Sequence, residues 1–229
     1  NLRIDGGGYS NASVGISQVT GSSFALRNVF VRNFATGLYL KDCYYGIIEN
    51  YTAWECGTGL ALEHCYNTYI SAIRLSCKRV DDTAGIGVSM INRSEAHFFG
   101  GAIEAYKYAI NVQGGYQVVD MHGLYFEQGV AGAYSVGVNI AGSGSTVNAF
   151  GCVAWLNNHR AWVLFPDNSG ARLNATGNYF KWTGDAGTIG IYAYEWINPN
   201  TGGLRVSLRG DNWENMPKVA NLKYSPSVL

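Results

Sequence analysis

The amino-acid sequence predicts an all-β fold, a right-handed single-stranded parallel β-helix in which about eight coils stack into a solenoid. Three observations support this prediction. A short motif recurs along most of the chain at intervals of 22 to 29 residues. Alternating apolar runs separated by Gly, Asn or Asp fill these intervals, which is typical of short strands joined by turns. No convincing window shows the 3.6-residue apolar spacing of a helix.

The recurring motif consists of a small residue, an apolar residue, any residue and a second apolar residue. Its copies are Gly37-Leu38-Tyr39-Leu40, Gly59-Leu60-Ala61-Leu62, Gly85-Ile86-Gly87-Val88, Ala109-Ile110-Asn111-Val112, Gly137-Val138-Asn139-Ile140, Ala161-Trp162-Val163-Leu164 and Gly190-Ile191-Tyr192-Ala193, with a weaker copy at Gly15-Ile16. Two coils, Phe24 to Tyr45 and Gly46 to Asn67, align without a gap at 22 residues each. The following coils begin near residues 68, 96, 118, 146, 171 and 204.

The length of the repeat decides the architecture. Three short strands and three turns fit into one such coil, whereas a propeller blade needs roughly 40 residues or more. Coils of a parallel β-helix stack about 4.8 Å apart, so equivalent residues form ladders along the axis. We therefore expect a β-helix over residues 1–210. Residues 211–229 break the pattern and are predicted to form a C-terminal cap or the start of a trimerisation segment.

Composition argues against several classes of partner. Sixteen basic and sixteen acidic residues give a net charge of zero, so nucleic acid is not an expected partner. The longest apolar stretches, such as residues 161–165, are too short for insertion into a membrane. The chain has no initiator Met and begins in mid-pattern, which predicts that it is part of a longer protein.

The five cysteines show neither a disulfide framework nor a paired zinc motif. Cys43 and Cys65 occupy the same place in adjacent coils, which predicts that one lies above the other. A redox pair or a metal site is one interpretation. An interior stack is the favoured one, because free Cys is commonly buried. No His and carboxylate spacing indicates a metal and no Gly-rich loop indicates a nucleotide, so no cofactor is expected.

Three coils carry extra residues at one point, just before the recurring motif. These insertions are residues 78–84, 128–134 and 181–188, and their common place predicts that they project from one side of the stack. Long loops on one side of a rigid solenoid are a usual way to wall a ligand groove, although such insertions are also simply tolerated.

Carboxylates lie just before these insertions. Glu55 and Glu127 align as equivalent residues, and Glu104 falls one coil before Glu127. The insertions add Asp81, Asp82 and Asp185. Cleavage of a glycosidic bond needs two carboxyl groups about 5 to 9.5 Å apart, and groups one coil apart reach this range. Glu104 and Glu127 are therefore a candidate catalytic pair, and glutamates on a solvated strand face are the competing interpretation.

Aromatic residues make up 14% of the chain, which favours a carbohydrate ligand. Flat rings stack on the apolar faces of sugars, while carboxylates and amides bind the hydroxyl groups. The candidate substrate-binding residues are Trp54, Glu55, Phe126, Trp155, His159, Arg160 and Trp182. Filling of the core is the competing interpretation of the aromatic content, since Trp is highly buried on average.

The run Phe98-Phe99-Gly100-Gly101-Ala102-Ile103-Glu104, followed by Ala109-Ile110-Asn111-Val112 and Gly123-Leu124-Tyr125-Phe126-Glu127, resembles bacteriophage tailspike or receptor-binding proteins of the pectate-lyase-like right-handed parallel β-helix superfamily. The resemblance covers residues 24–210 and lies in the coil pattern. The sequence lacks the calcium-binding Asp cluster and the Arg arrangement expected of true pectate lyases.

The resemblance implies a homotrimer on the tail appendage of a virion, or an extracellular protein, made in the host cytoplasm. Its partner would be a bacterial surface polysaccharide, namely capsule, lipopolysaccharide or exopolysaccharide. The resemblance makes Glu104 and Glu127 the acid and base candidates, with Asp81, Asp82 or Asp185 as alternatives.

Three functions follow as alternatives. The first is an endo-acting polysaccharide depolymerase, a glycoside hydrolase rather than a lyase. The second is a non-catalytic receptor-binding module of a viral appendage. The third is a cellular lyase or epimerase in which Lys107, Lys181 or a His serves as base.

Overall fold

The structure is a computed structural model that describes residues 2–6, 13–77, 85–128, 135–156, 159–165, 170–182, 192–196, 205–214 and 220–222. In these residues the protein is all-β, and its strands stack as a parallel β-solenoid. The same residues contain no helix that is long and apolar enough to cross a membrane. The predicted parallel β-helix is confirmed.

Twenty-two strands make up the described part. They are β1 (Leu2–Asp5), β2 (Val14–Ser22), β3 (Ala25–Arg32), β4 (Thr36–Tyr44), β5 (Ile47–Trp54), β6 (Thr58–Glu63), β7 (Thr68–Ser76), β8 (Ile86–Ile91), β9 (Glu95–Glu104), β10 (Tyr108–Gln113), β11 (Val118–His122), β12 (Tyr125–Gln128), β13 (Ser135–Ala141), β14 (Thr146–Phe150), β15 (Val153–Leu156), β16 (His159–Phe165), β17 (Arg172–Thr176), β18 (Tyr179–Trp182), β19 (Tyr192–Trp196), β20 (Arg205–Arg209), β21 (Asn212–Glu214) and β22 (Ala220–Leu222).

The strands form two parallel sheets. Sheet 1 has 13 strands, with the order β1-β3-β5-β7-β9-β11-β14-β17-β20 and a branch β9-β12-β15-β18-β21. Sheet 2 has nine strands, with the order β2-β4-β6-β8-β10-β13-β16-β19-β22. Strands of sheet 1 begin at residues 68, 95, 118, 146, 172 and 205, within one residue of the predicted coil starts. The predicted coil length is therefore correct.

A single residue with left-handed backbone bends sheet 1 in each coil. These residues are Asn28, Asn50, Ala72, Gly100, Gly123, Gly151, Gly177 and Gly210, with φ between 50° and 65°. The first four corners lie inside long strands, while the later ones separate two short strands, such as β11 and β12. Asn and Gly tolerate this conformation better than other residues, which explains their place in the repeat.

The recurring small residue lies in sheet 2 where the two sheets approach closely. A Cβ atom on Gly59 would lie 2.8 Å from the Gly87 carbonyl oxygen and 3.0 Å from the Leu75 side chain. Two copies of the motif are shifted from the predicted alignment, since Gly59 pairs with Gly87 rather than with Gly85. In β16 the equivalent of Gly137 is Trp162, because a bulge at Ser135 and Val136 shifts the register.

The five cysteines are all free and buried. The prediction of an interior stack is confirmed for Cys43 and Cys65, whose coils are adjacent and whose thiols are in contact. Burial raises the pKa of the Cys65 thiol to about 11 and that of Cys152 to about 11.

These thiols are expected not to react with a thiol-specific disulfide reagent at pH 8 while the protein is folded, because the reactive thiolate is scarce and inaccessible. All five should react once the chain is unfolded in denaturant. The absorbance of the released thiolate measures both states. Rapid labelling of Cys43 or Cys65 in the native protein would contradict the buried stack.

Parallel pairing continues past residue 210. β21 pairs with β18, and β22 pairs with β19. The solenoid therefore extends beyond the predicted boundary, and part of the predicted cap or trimerisation segment contributes strands to both sheets.

The predicted insertions begin at one corner of the solenoid. They follow β7 and β12 or overlap the end of β18, and each of these strands leads from sheet 1 to sheet 2. Residues 78–84, 129–134 and 183–191 themselves lie outside the described part.

Candidate functional site

The last outward position of sheet 1 forms a row of polar and aromatic side chains, which we call the carboxylate row. In stacking order it contains Asp5, Arg32, Trp54, Ser76, Glu104, Glu127, Trp155, Lys181 and Glu214. The row runs beside the corner at which the insertions begin. Alternation of side chains along each strand places it on the outer face, since the intervening positions are buried.

A second outward row lies two residues earlier on each strand. It contains Arg3, Phe30, Thr52, Arg74, Ala102, Tyr125, Val153, Tyr179 and Asn212. Small side chains at Thr52, Ser76 and Ala102 leave a depression of about 530 Å³ between larger neighbours. We call this depression the groove, and its walls include Phe30, Trp54, Arg74 and Glu104.

Glu104 and Glu127 lie on adjacent strands in direct register, as predicted. Neighbouring strands are about 4.7 to 4.9 Å apart, so the two carboxyl groups share one small area of the outer face. Burial and the negative charge of Glu127 raise the pKa of Glu104, and the positive charge of Arg74 offsets part of this effect. Glu104 is half-buried and Glu127 is exposed, so the two groups have different environments.

Tyr125 orients the more exposed member of the pair. Its hydroxyl group donates a hydrogen bond of 2.8 Å to Oε2 of Glu127. Burial and the carboxylate of Glu127 raise the pKa of Tyr125, so the phenol stays neutral and keeps donating. The pair thus consists of one carboxyl group that favours its protonated form and one that accepts a fixed hydrogen bond.

Aromatic side chains stand on both sides of the pair. Trp54 is 39% exposed and lies two strands from Glu104, with Ser76 between them. Trp155 is 42% exposed and lies directly beside Glu127. The Nζ atom of Lys181 lies 5.9 Å from the Trp155 ring centroid and 3.0 Å from a Glu214 carboxylate oxygen.

Two predicted site residues lie elsewhere. Phe126 is fully buried and packs edge-on against Trp162, so the prediction that it contacts substrate is wrong. It occupies the inward position between Tyr125 and Glu127, as Phe180 does one residue before Lys181. The assignment of Phe126 to the glutamate face failed because neighbouring strand residues point to opposite faces.

The predicted equivalence of Glu55 and Glu127 is also wrong. The residue in register with the Glu104–Glu127 ladder is Trp54, and Glu55 follows it at a left-handed corner with φ of 55°. Its Oε2 atom lies 2.7 Å from Nε of Arg32. The carboxylate of Glu55 is therefore part of an ion pair at the end of the row.

The other predicted site residues lie wholly or partly outside the described part. Asp81, Asp82 and Asp185 belong to the insertions and are outside it altogether. His159 and Arg160 open β16 of sheet 2, and Trp182 ends β18 beside the carboxylate row, but the side chains of all three are outside the description.

A stacked aromatic row occupies the earlier segment of the outer face. The Phe99 and His122 rings are 5.1 Å apart, and the His122 and Phe150 rings are 5.0 Å apart, all nearly parallel. The ring faces are thus occupied by one another and only their edges reach solvent. This row is less suited than Trp54 to stack on a sugar.

Arg74 is the groove residue that the sequence analysis missed. It lies within a strand whose outward neighbours, Thr52 and Ala102, are on other coils. A signal was present in the chain, because Arg74 stands two residues before the Ser76 position and therefore on the same face. Only the register of three coils shows that its neighbours are small.

The fold and the groove together define the class of the protein as a parallel β-solenoid with a carboxylate pair on its outer face, consistent with the pectate-lyase-like fold. Among the described residues, no group of three or more His, Cys, Asp or Glu side chains is arranged to hold a metal ion. Comparison with models of known protein families and with curated proteins found no match.

Proposed function

We propose that this protein is a tailspike-type protein that binds a bacterial surface polysaccharide, namely capsule, lipopolysaccharide or exopolysaccharide, and cleaves it as an endo-acting glycosidase. The observation that carries the proposal is the Glu104–Glu127 pair beside a groove lined by an exposed Trp54. The resemblance of the coil pattern to tailspike proteins supports a homotrimer on a virion tail appendage or in the extracellular space.

In the proposed reaction Glu104 is the general acid. Its raised pKa favours the protonated form that donates a proton to the departing glycosidic oxygen. Glu127 acts from the next coil as nucleophile or as the base that activates water. The hydrogen bond from Tyr125 holds the Glu127 carboxylate in place during this step. Which stereochemical course follows depends on the carboxyl separation, about 5 to 5.5 Å for retention and larger for inversion.

The flanking tryptophans favour a long ligand that lies along the solenoid axis. Trp54 and Trp155 are four strand positions apart in the carboxylate row, which corresponds to about 19 Å at the usual strand spacing. The carboxylate pair lies between them. An internal bond of an extended glycan is therefore placed at the pair, which fits endo cleavage better than removal of terminal sugars.

A panel of purified capsular polysaccharides, lipopolysaccharides and exopolysaccharides tests the proposal. Binding is measured by calorimetry, and cleavage by the release of reducing ends. We expect at least one polymer that both binds and yields new reducing ends without absorbance near about 235 nm, where the unsaturated products of elimination would absorb. Unsaturated products would replace hydrolysis with a lyase reaction, and binding without cleavage would leave a receptor-binding module. No binding to any polymer would overturn the proposal.

A further inference from the structure

Arg74 is placed to bind an anion inside the groove. It lies on β7 with Ser76 two residues further on the same face, and Ser76 is flanked in register by Trp54 and Glu104. The Arg74 side chain has Thr52 and Ala102 as its neighbours in register. Because both neighbours are short, its guanidinium group faces the open space of the groove rather than a packed side chain.

Other cations of the outer face have carboxylate partners. Arg27 lies 3.0 Å from Glu49, Arg32 lies 2.7 Å from Glu55, and Lys181 lies 3.0 Å from Glu214. Arg74 differs from them, because within the residues that the structure describes it forms no hydrogen bond or ion pair. Its guanidinium group therefore has five N–H donors available for a ligand.

Glu104 does not compensate the charge of Arg74. Arg74 lowers the pKa of Glu104, but burial and the negative charge of Glu127 outweigh this and raise the pKa overall. The nearest carboxyl group thus tends toward its neutral form. A half-enclosed guanidinium group beside a largely neutral acid attracts an anionic group from outside.

We propose that the groove is a subsite for a sugar residue that carries a carboxylate, a hexuronate, with Arg74 binding the carboxylate in a bidentate manner and Trp54 stacking on the sugar ring. This inference rests on the proposed function, since it names the class of polysaccharide, an acidic one, that the carboxylate pair acts on. The planar fork of arginine matches a carboxylate in geometry, and an indole face matches the apolar face of a pyranose.

The carboxylated subsite lies next to the point of cleavage. Arg74 and Glu104 are on adjacent strands, and both line the groove. A hexuronate bound there therefore occupies the position beside the scissile bond. Recognition of the acidic sugar and alignment of the bond with the carboxylate pair then depend on the same few side chains.

The test uses two small probes that differ only in the carboxylate, methyl β-D-glucuronide and methyl β-D-glucoside. They are titrated into ¹⁵N-labelled full-length chain while the indole N–H signal of Trp54 is followed by NMR. We expect a saturable shift with the glucuronide and at least about tenfold weaker binding of the glucoside, as loss of a charge-assisted bidentate contact implies. Acetate alone is expected to leave the Trp54 signal unchanged, because it lacks the sugar ring.

Two variants assign the preference to one side chain. Arg74→Gln should bind both glycosides equally weakly, whereas Arg27→Gln, on the same sheet but away from the groove, should keep the preference for the glucuronide. Equal affinities in the wild-type chain, no Trp54 shift with either glycoside, or loss of the preference in Arg27→Gln would each overturn the inference.

The outcome is separable from that of the proposed function. A chain that cleaves only neutral polysaccharides and shows no preference for the glucuronide retains the proposed function and loses the acidic subsite. A chain that prefers the glucuronide and cleaves nothing retains the subsite as part of a receptor-binding module.

Discussion

Replacing Glu127 by Gln is expected to abolish the release of reducing ends while polysaccharide binding survives. General acid–base catalysis by one side chain contributes about 10² to 10⁴ in rate, so a loss of that size is expected in kcat. The amide keeps the shape of the carboxylate and its ability to accept the hydrogen bond from Tyr125. Reducing-end assays give kcat, and calorimetry on the same polymer gives the affinity.

A matched control is Glu49→Gln. Glu49 is exposed on the same sheet, where it pairs with Arg27 away from the groove, and its loss should leave both cleavage and binding unchanged. If Glu127→Gln cleaves at the wild-type rate, the paired mechanism is wrong. If the wild-type chain binds without cleaving and Glu127→Gln only changes affinity, the receptor-binding alternative is correct.

Replacing Trp162 by Ala is expected to lower the free energy of unfolding by about 3 to 5 kcal/mol. Trp162 is fully buried and stands where other coils have Gly or Ala. Its ring lies 6.0 Å from that of Phe126 and 4.7 Å from that of Phe180, while Ala154 lies between those two phenylalanines in the sheet 1 ladder. The indole thus fills the space that the small Ala154 side chain leaves, and its removal opens a cavity.

Denaturant unfolding followed by circular dichroism measures this change. Trp155→Ala is the control, because it removes the same side chain from the exposed face and should cost about 1 kcal/mol or less. Equal destabilisation by the two substitutions would show that the aromatic cluster of Trp162 does not stabilise the core.

The repeat length and the stacking of Glu104 on Glu127 were predictable from the sequence. Both follow from spacing along the chain, and spacing survives small errors in alignment. The face on which a side chain lies does not survive such errors, because one residue of shift exchanges inside and outside. The alignment of Glu55 with Glu127 failed in this way, since the chain turns at a left-handed corner right after Trp54.

The groove could not be predicted from the sequence, because it arises between coils rather than within one. Arg74 is accessible only since Thr52 and Ala102 are small, and these three residues are 22 and 28 positions apart in the chain. The shift that places Trp162 opposite Gly137 likewise depends on a bulge between two coils. Local patterns predict strands, whereas the register between coils decides which side chains meet.

The parallel stacking has a consequence for how the chain folds. Strand partners are one coil apart everywhere, from 22 residues for Val29 and Tyr51 to 33 residues for Thr176 and Arg209. The entropy lost on closing such a loop grows only slowly with its length, so each coil meets nearly the same kinetic barrier when it docks on its neighbour. Folding can then start at any coil and spread in both directions, and no step requires distant parts of the chain to find each other.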